Sequence, residues 1–176
     1  MSLSLYQAFV PTCQQLLGAL SGLIDKGEQF AREKGIPEAE MMEARLAEDM
    51  WSLPWHVRSC HVHSALAIEL LPTGEISPDF TQLPQGWDAM RAQVAATQQS
   101  LAQVTEDALE ALADHQAFFV LGGKRLLEFT GQNYLLSFAQ PQFYFHVTTF
   151  YDILRMKGVP LGKRDFMGAV RIKMPG

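Results

Sequence analysis

Charge is missing from the first 24 residues of this 176-residue chain, and cysteine is nearly missing from all of it. The two cysteines, Cys13 and Cys60, lie far apart and outside any Cys-x-x-Cys pair. Neither a disulfide framework nor a zinc ribbon is expected, and a reduced, cytoplasmic setting is the default. Basic residues are the minority charge: 14 Lys and Arg stand against 19 Asp and Glu, for a net charge of -5. Phosphate backbones need a concentrated basic face, so nucleic acid is not an expected partner. No GxSxG elbow and no Glu-x-x-His pairing of the di-iron kind occurs, and Gly122-Gly123-Lys124 lacks the spacing of a phosphate-binding loop. Internal repeats, low-complexity tracts and dividing linkers are also lacking.

The uncharged start invites a membrane or targeting reading that its residues oppose. No Lys or Arg precedes it, Gln7, Pro11, Gln14 and Gln15 interrupt it, and its apolar residues are periodic rather than continuous. The expectation is a buried helix kept in the mature protein, and no membrane partner.

What is present is an ordinary globular composition, 48% hydrophobic and 19% charged, which suits one domain over residues 1–176. Leu5, Phe9, Cys13, Leu16, Leu20, Leu23, Gly27 and Phe30 recur in steps of three and four, the stripe of a bundle helix that Lys34-Gly35 closes. Pro11 either kinks this helix or marks its first turn. Pro37 opens a short acidic helix through Met42. A second long helix is predicted from Ser52, as N-cap, to about Leu71, where Pro72-Thr73-Gly74 ends it. A third follows the rhythm Leu83, Trp87, Met90, Val94, Thr97, Leu101 and Val104, with Pro84 near its start, and a short helical run covers Asp107 to Leu112.

Phe118 to Leu121 and Arg125 to Phe129 flank Gly122-Gly123-Lys124 as the arms of a hairpin, because paired glycines accept a tight turn's positive φ. Thr130 is placed to N-cap a short helix over Tyr134 to Phe138. The last long helix starts at Pro141, turns Phe143, Val147, Phe150 and Leu154 inward, and stops at Gly158 and Pro160. The tail with Lys163, Arg164, Arg171 and Lys173 reads as a solvated surface segment. Four long helices and a hairpin make an all-α bundle with a β accessory.

Five histidines are available, and helical geometry sorts them. His56 and His63 are seven residues apart and share a face, whereas His61 and His63 differ by about 200° around a helix. His146 lies at the edge of the apolar stripe of the last helix, beside Phe143, Phe150 and Ile153. Imidazoles on facing helices could hold a divalent metal with one position left open. They could equally be satisfied core or surface histidines. His115 and His61 read as ordinary. Cys60, one turn before His63, is a thiol nucleophile or ligand only if its pKa is lowered, and more simply a small buried hydrophobe.

Four segments carry a resemblance across essentially the whole chain. They are Ser4-Leu5-Tyr6-Gln7 with Val10-Pro11, Ala44 to Ala47 through Asp49-Met50, Phe143-Tyr144-Phe145-His146-Val147-Thr148-Thr149, and Gly162-Lys163-Arg164-Asp165-Phe166. Together they resemble an uncharacterised bacterial domain-of-unknown-function family with a DinB-like fold. The resemblance implies a four-helix bundle with short connecting helices and a small β-hairpin, often a homodimer. It also implies a divalent metal, zinc or nickel, held by one histidine from the second helix and an HxxxH pair from the fourth. On that pattern His63 and His146 match two ligands, and the third position falls on Phe150, which cannot coordinate. His56 or Asp49 is left to complete the set, or the site has lost its metal.

Two functions follow as expectations. One is a metal-dependent enzyme or metal-binding protein acting on a small molecule, similar to thiol-dependent transferases, with His63, His146 and His56 as ligands. The other is a non-catalytic helical bundle that binds a partner or a small apolar ligand around a degenerate metal site.

Overall fold

The computed structural model describes residues 3–77 and 82–173. Helix α1 (Leu5–Lys34) begins where Ser4 Oγ accepts the Gln7 N–H, and it ends at Gly35, whose left-handed backbone returns N–H bonds to Ala31 and Arg32. It starts well before Pro11, so the proline is interior. Leu5, Phe9, Cys13, Leu16, Leu20, Leu23 and Gly27 are buried as the periodicity requires. Gly27 is small for a reason: a Cβ there would lie 3.0 Å from the Trp87 ring and 3.1 Å from Leu154.

The acidic helix is α2 (Glu38–Met42). The predicted second long helix is corrected to two, α3 (Leu53–Val62) and α4 (Ala65–Leu70), with a 3-10 turn over Leu71–Thr73. Ser64 causes the break: its backbone leaves the helical region at φ -130°, ψ -89°, and its hydroxyl donates back to the Cys60 carbonyl. Ser52 does hold the N-cap position of α3, with Pro54 in the first turn, but its side chain makes no capping bond.

Helix α5 (Trp87–Ala102) starts later than its apolar rhythm suggested, because Gly86 at φ 87° interrupts the chain ahead of it. Helix α6 (Glu106–Glu110) follows, with Thr105 accepting the Ala108 N–H.

The predicted hairpin forms as β2 (Gln116–Leu121) and β3 (Lys124–Thr130), with Gly122 and Gly123 at φ 59° and 74°. It belongs to a mixed sheet in the order β1-β2-β3, because β1 (Glu75–Ile76) adds in parallel to β2. Thr130 caps α7 (Gly131–Asn133), which passes through a π-helical turn, Tyr134–Ala139, directly into α8 (Gln140–Met156). The tail is more than solvated chain. Its α9 (Lys163–Met167) lies on α1, where Lys26 pairs with Asp165 at 2.5 Å and Gln15 donates to the Met167 carbonyl at 2.8 Å.

Helix α1 packs on α5 and α8, and α3 packs on the same two, so the long helices enclose a common core. Phe9, Leu17, Leu20, Met90, Phe143 and Phe150 are among its fully buried side chains. No helix among the described residues is long and apolar enough to cross a membrane.

Candidate functional site

Burial of α3 against α8 brings two imidazoles together. His56 and His146 are 1% and 4% exposed, and their Nδ1 atoms stand 3.0 Å apart. The other nitrogen of His56, Nε2, lies 3.1 Å from the Trp51 carbonyl. A carbonyl only accepts, so His56 Nε2 carries the proton. Burial lowers the His56 pKa to about 4, so near neutral pH the ring is uncharged and holds one N–H. Its Nδ1 is therefore the acceptor, and His146 Nδ1 is the donor. The chain of hydrogen bonds runs from His146 through His56 to the Trp51 carbonyl, and it leaves the lone pair of His146 on Nε2.

His63 completes the cluster. It occupies the C-cap of α3, and its ring is parallel to His146 at 5.6 Å between centroids and 3° between planes. Trp51 covers the other face of His146, at 5.8 Å and 7°. Trp51, His146 and His63 thus form a column of three parallel rings, with Phe145 edge-on to His146 and Phe138 edge-on to His63. Burial lowers His63 to about 4, and burial together with its two imidazole neighbours lowers His146 to about 3. All three rings are uncharged at neutral pH. His63 Nδ1 is buried and makes no hydrogen bond.

A cleft of about 330 Å³ opens beside His146, lined by Asp49, Met50, Trp51, His56, Gln142, Phe145 and His146. Trp51 is 46% and Phe145 54% exposed, although both abut a buried imidazole pair. Large aromatic faces left open at a concave site form a wall for a ligand.

Whether these side chains suit the metal that a three-histidine pattern implies is a question of donors and spacing. Neutral imidazole nitrogen is the right donor for zinc or nickel. Rings sharing one tetrahedral ion stand roughly 5 Å apart between centroids, and His146 is 5.2 Å from His56 and 5.6 Å from His63. The nitrogens fit less well. Two donors 3.0 Å apart would subtend about 95° at an ion on ordinary bonds instead of the tetrahedral ~109°. They are also the two ends of a hydrogen bond. Phe150 is fully buried in the core. Among the described residues no group of three or more His, Cys, Asp or Glu is placed to hold an ion. As the side chains stand, the donors match a metal in kind and do not converge on one.

The structure therefore brings His56, His63 and His146 together and puts Asp49 at the cleft mouth. His61 faces α5 instead, donating from Nδ1 to Thr97 Oγ1 at 3.2 Å. Cys60 and Cys13 are both buried, and burial pushes both thiols up from their ordinary values, so neither is a nucleophile at neutral pH. Sequence reasoning missed Trp51, Met50, Gln142 and the wall made by Phe145. The available signal was the pair Trp51 and Trp55 on either side of the Ser52 N-cap; they stack at 4.7 Å.

No functionally curated protein matches the chain. A solved structure described as a DinB family member protein from Shewanella denitrificans aligns with a TM-score of 0.83 and 28% identity, over 97% of this chain and 96% of that one. A family model, Domain of unknown function (DUF1993), matches residues 5–167. The chain belongs to that family, and its fold is DinB-like.

Proposed function

We propose that this protein is a helical bundle of the four-helix type that binds a small, largely apolar molecule in the cleft beside His146. The carrying observation is the hydrogen-bond chain from His146 Nδ1 through His56 to the Trp51 carbonyl. It uses both nitrogens of His56 and one of His146 within the protein, so the His56–His146 pair is held by hydrogen bonds without an ion. It also ties Trp51, the open aromatic wall, to the buried rings. A ligand would lie against Trp51 and Phe145, with His146 Nε2 and the Gln142 amide as the polar groups that orient it.

The test is an NMR titration with 2-naphthalenemethanol, following the indole N–H signals. Trp51 and Trp55 should shift while Trp87, which is 3% exposed in the core, stays still. A Trp51→Ala variant should lose the response. Saturable binding that moves none of the cleft signals would contradict the assignment.

A second reading is favoured by the buried, unbonded Nδ1 of His63. There the protein is a metal-dependent enzyme or metal-binding protein of thiol-dependent-transferase type, with zinc or nickel taken by His63, His146 and His56 after the two Nδ1 atoms turn apart. Metal content by mass spectrometry, as purified and after loading, beside a His63→Ala, His146→Ala double variant, separates the two. Stoichiometric metal lost in the variant selects the second reading, and no metal in either protein selects the first.

A further inference from the structure

The charges around the cleft restrict its ligand more narrowly than its shape does. Among the described lining residues Asp49 carries the only carboxylate, and none of them is a lysine or an arginine. Arg58 is close in sequence but is turned onto Trp55, its guanidinium 4.2 Å from that ring's centroid. Among the described residues no ion pair or hydrogen bond engages the Asp49 carboxylate. An anion entering this cleft would lose water, meet no lysine or arginine among the described lining residues and face a carboxylate. A cation would meet that carboxylate and the open faces of Trp51 and Phe145, whose ring quadrupoles attract positive charge.

Resting on the reading of this cleft as the ligand site, we infer that its ligand is a flat apolar amine. The ammonium lies at Asp49 and the ring lies against Trp51 and Phe145. Carboxylates, phosphates and anionic thiols are disfavoured by the same arrangement.

Three probes of one shape and different charge decide it: 2-naphthylmethylammonium, 2-naphthalenemethanol and 2-naphthoate, titrated at pH 7.5 into the full chain with the Trp51 and Trp55 indole signals as readout. The ammonium should bind roughly 10-fold tighter than the carboxylate, with the alcohol between them. An Asp49→Asn variant should bring the ammonium down to the affinity of the alcohol and leave the alcohol unchanged. Equal binding of all three would overturn the inference and leave the cleft as the ligand site. Binding of none would overturn both. Preferential binding of 2-naphthoate, before or after loading with zinc, would also overturn the inference, and after zinc alone it would select the metal reading.

Discussion

A histidine buried uncharged is a pH sensor for the whole fold. His56 and His63 are held at about 4 and His146 at about 3, all below the ordinary 6.5 because burial penalises the charged ring. Unfolding returns each to 6.5, so below that pH the unfolded chain takes up protons that the folded chain refuses. Stability is therefore fully present above about pH 7. It falls as pH drops from 6.5 toward 4, by at most ~1.4 kcal/mol per pH unit for each histidine. Urea unfolding at pH 7.5, 6 and 5 should show the decline, and a His63→Leu variant should show a shallower one. Stability independent of pH over that range would mean that the rings are already charged or open to water. The same side chains show what single residues reveal in advance. Helical spacing paired His56 with His63, and the family resemblance set His146 beside His63 and left the third place to His56 or Asp49. Trp51 was not legible, since it lies in the irregular segment 43–52, where no periodicity assigns a direction.

Among the elements, the junction that aims α8 is the most constrained. Gly131 N–H donates to the His115 carbonyl at 2.7 Å and Gln132 N–H to the Ala113 carbonyl at 2.8 Å, fixing the exit of β3 into α7. A Cβ on Gly131 would collide with the Leu112 carbonyl, a backbone atom that cannot turn aside. Gly131→Ala should cost about 1–3 kcal/mol, read as a lower urea midpoint with an unchanged slope, and wild-type stability would contradict this account of the junction. The π-helical turn that follows carries Phe138 to the edge of His63 and against Phe119 and Phe129. A π turn has no sequence period of its own, which is why the stretch read as a separate short helix. The split between α3 and α4 was hidden for a different reason. Ser64 suits the apolar rhythm of a continuous helix, and only its bond to the Cys60 carbonyl reveals the break. Strand β1 has two residues, too few for any alternation, and pairs with a partner more than 40 positions away. By contrast α1, the hairpin arms and the end of α8 were readable because stripe, cap and glycine signals agree there.

Over the whole molecule, the family is established by a match over residues 5–167 and the DinB-like fold by a structural likeness at a TM-score of 0.83. The function rests on the face where α3 and α8 meet. There, the family resemblance supplies an expected metal, and the described side chains supply a hydrogen-bonded pair of imidazoles with an aromatic cleft. The two accounts place protons and lone pairs differently. The most direct measurement is the ¹⁵N NMR of the imidazoles in the metal-free protein at pH 7.5, repeated with one equivalent of zinc. The account predicts neutral rings, His56 protonated on Nε2 and His146 on Nδ1, with both patterns unchanged by zinc. Loss of the His146 Nδ1 proton on adding one equivalent, with ligated shifts on His56, His63 and His146 together, would contradict it.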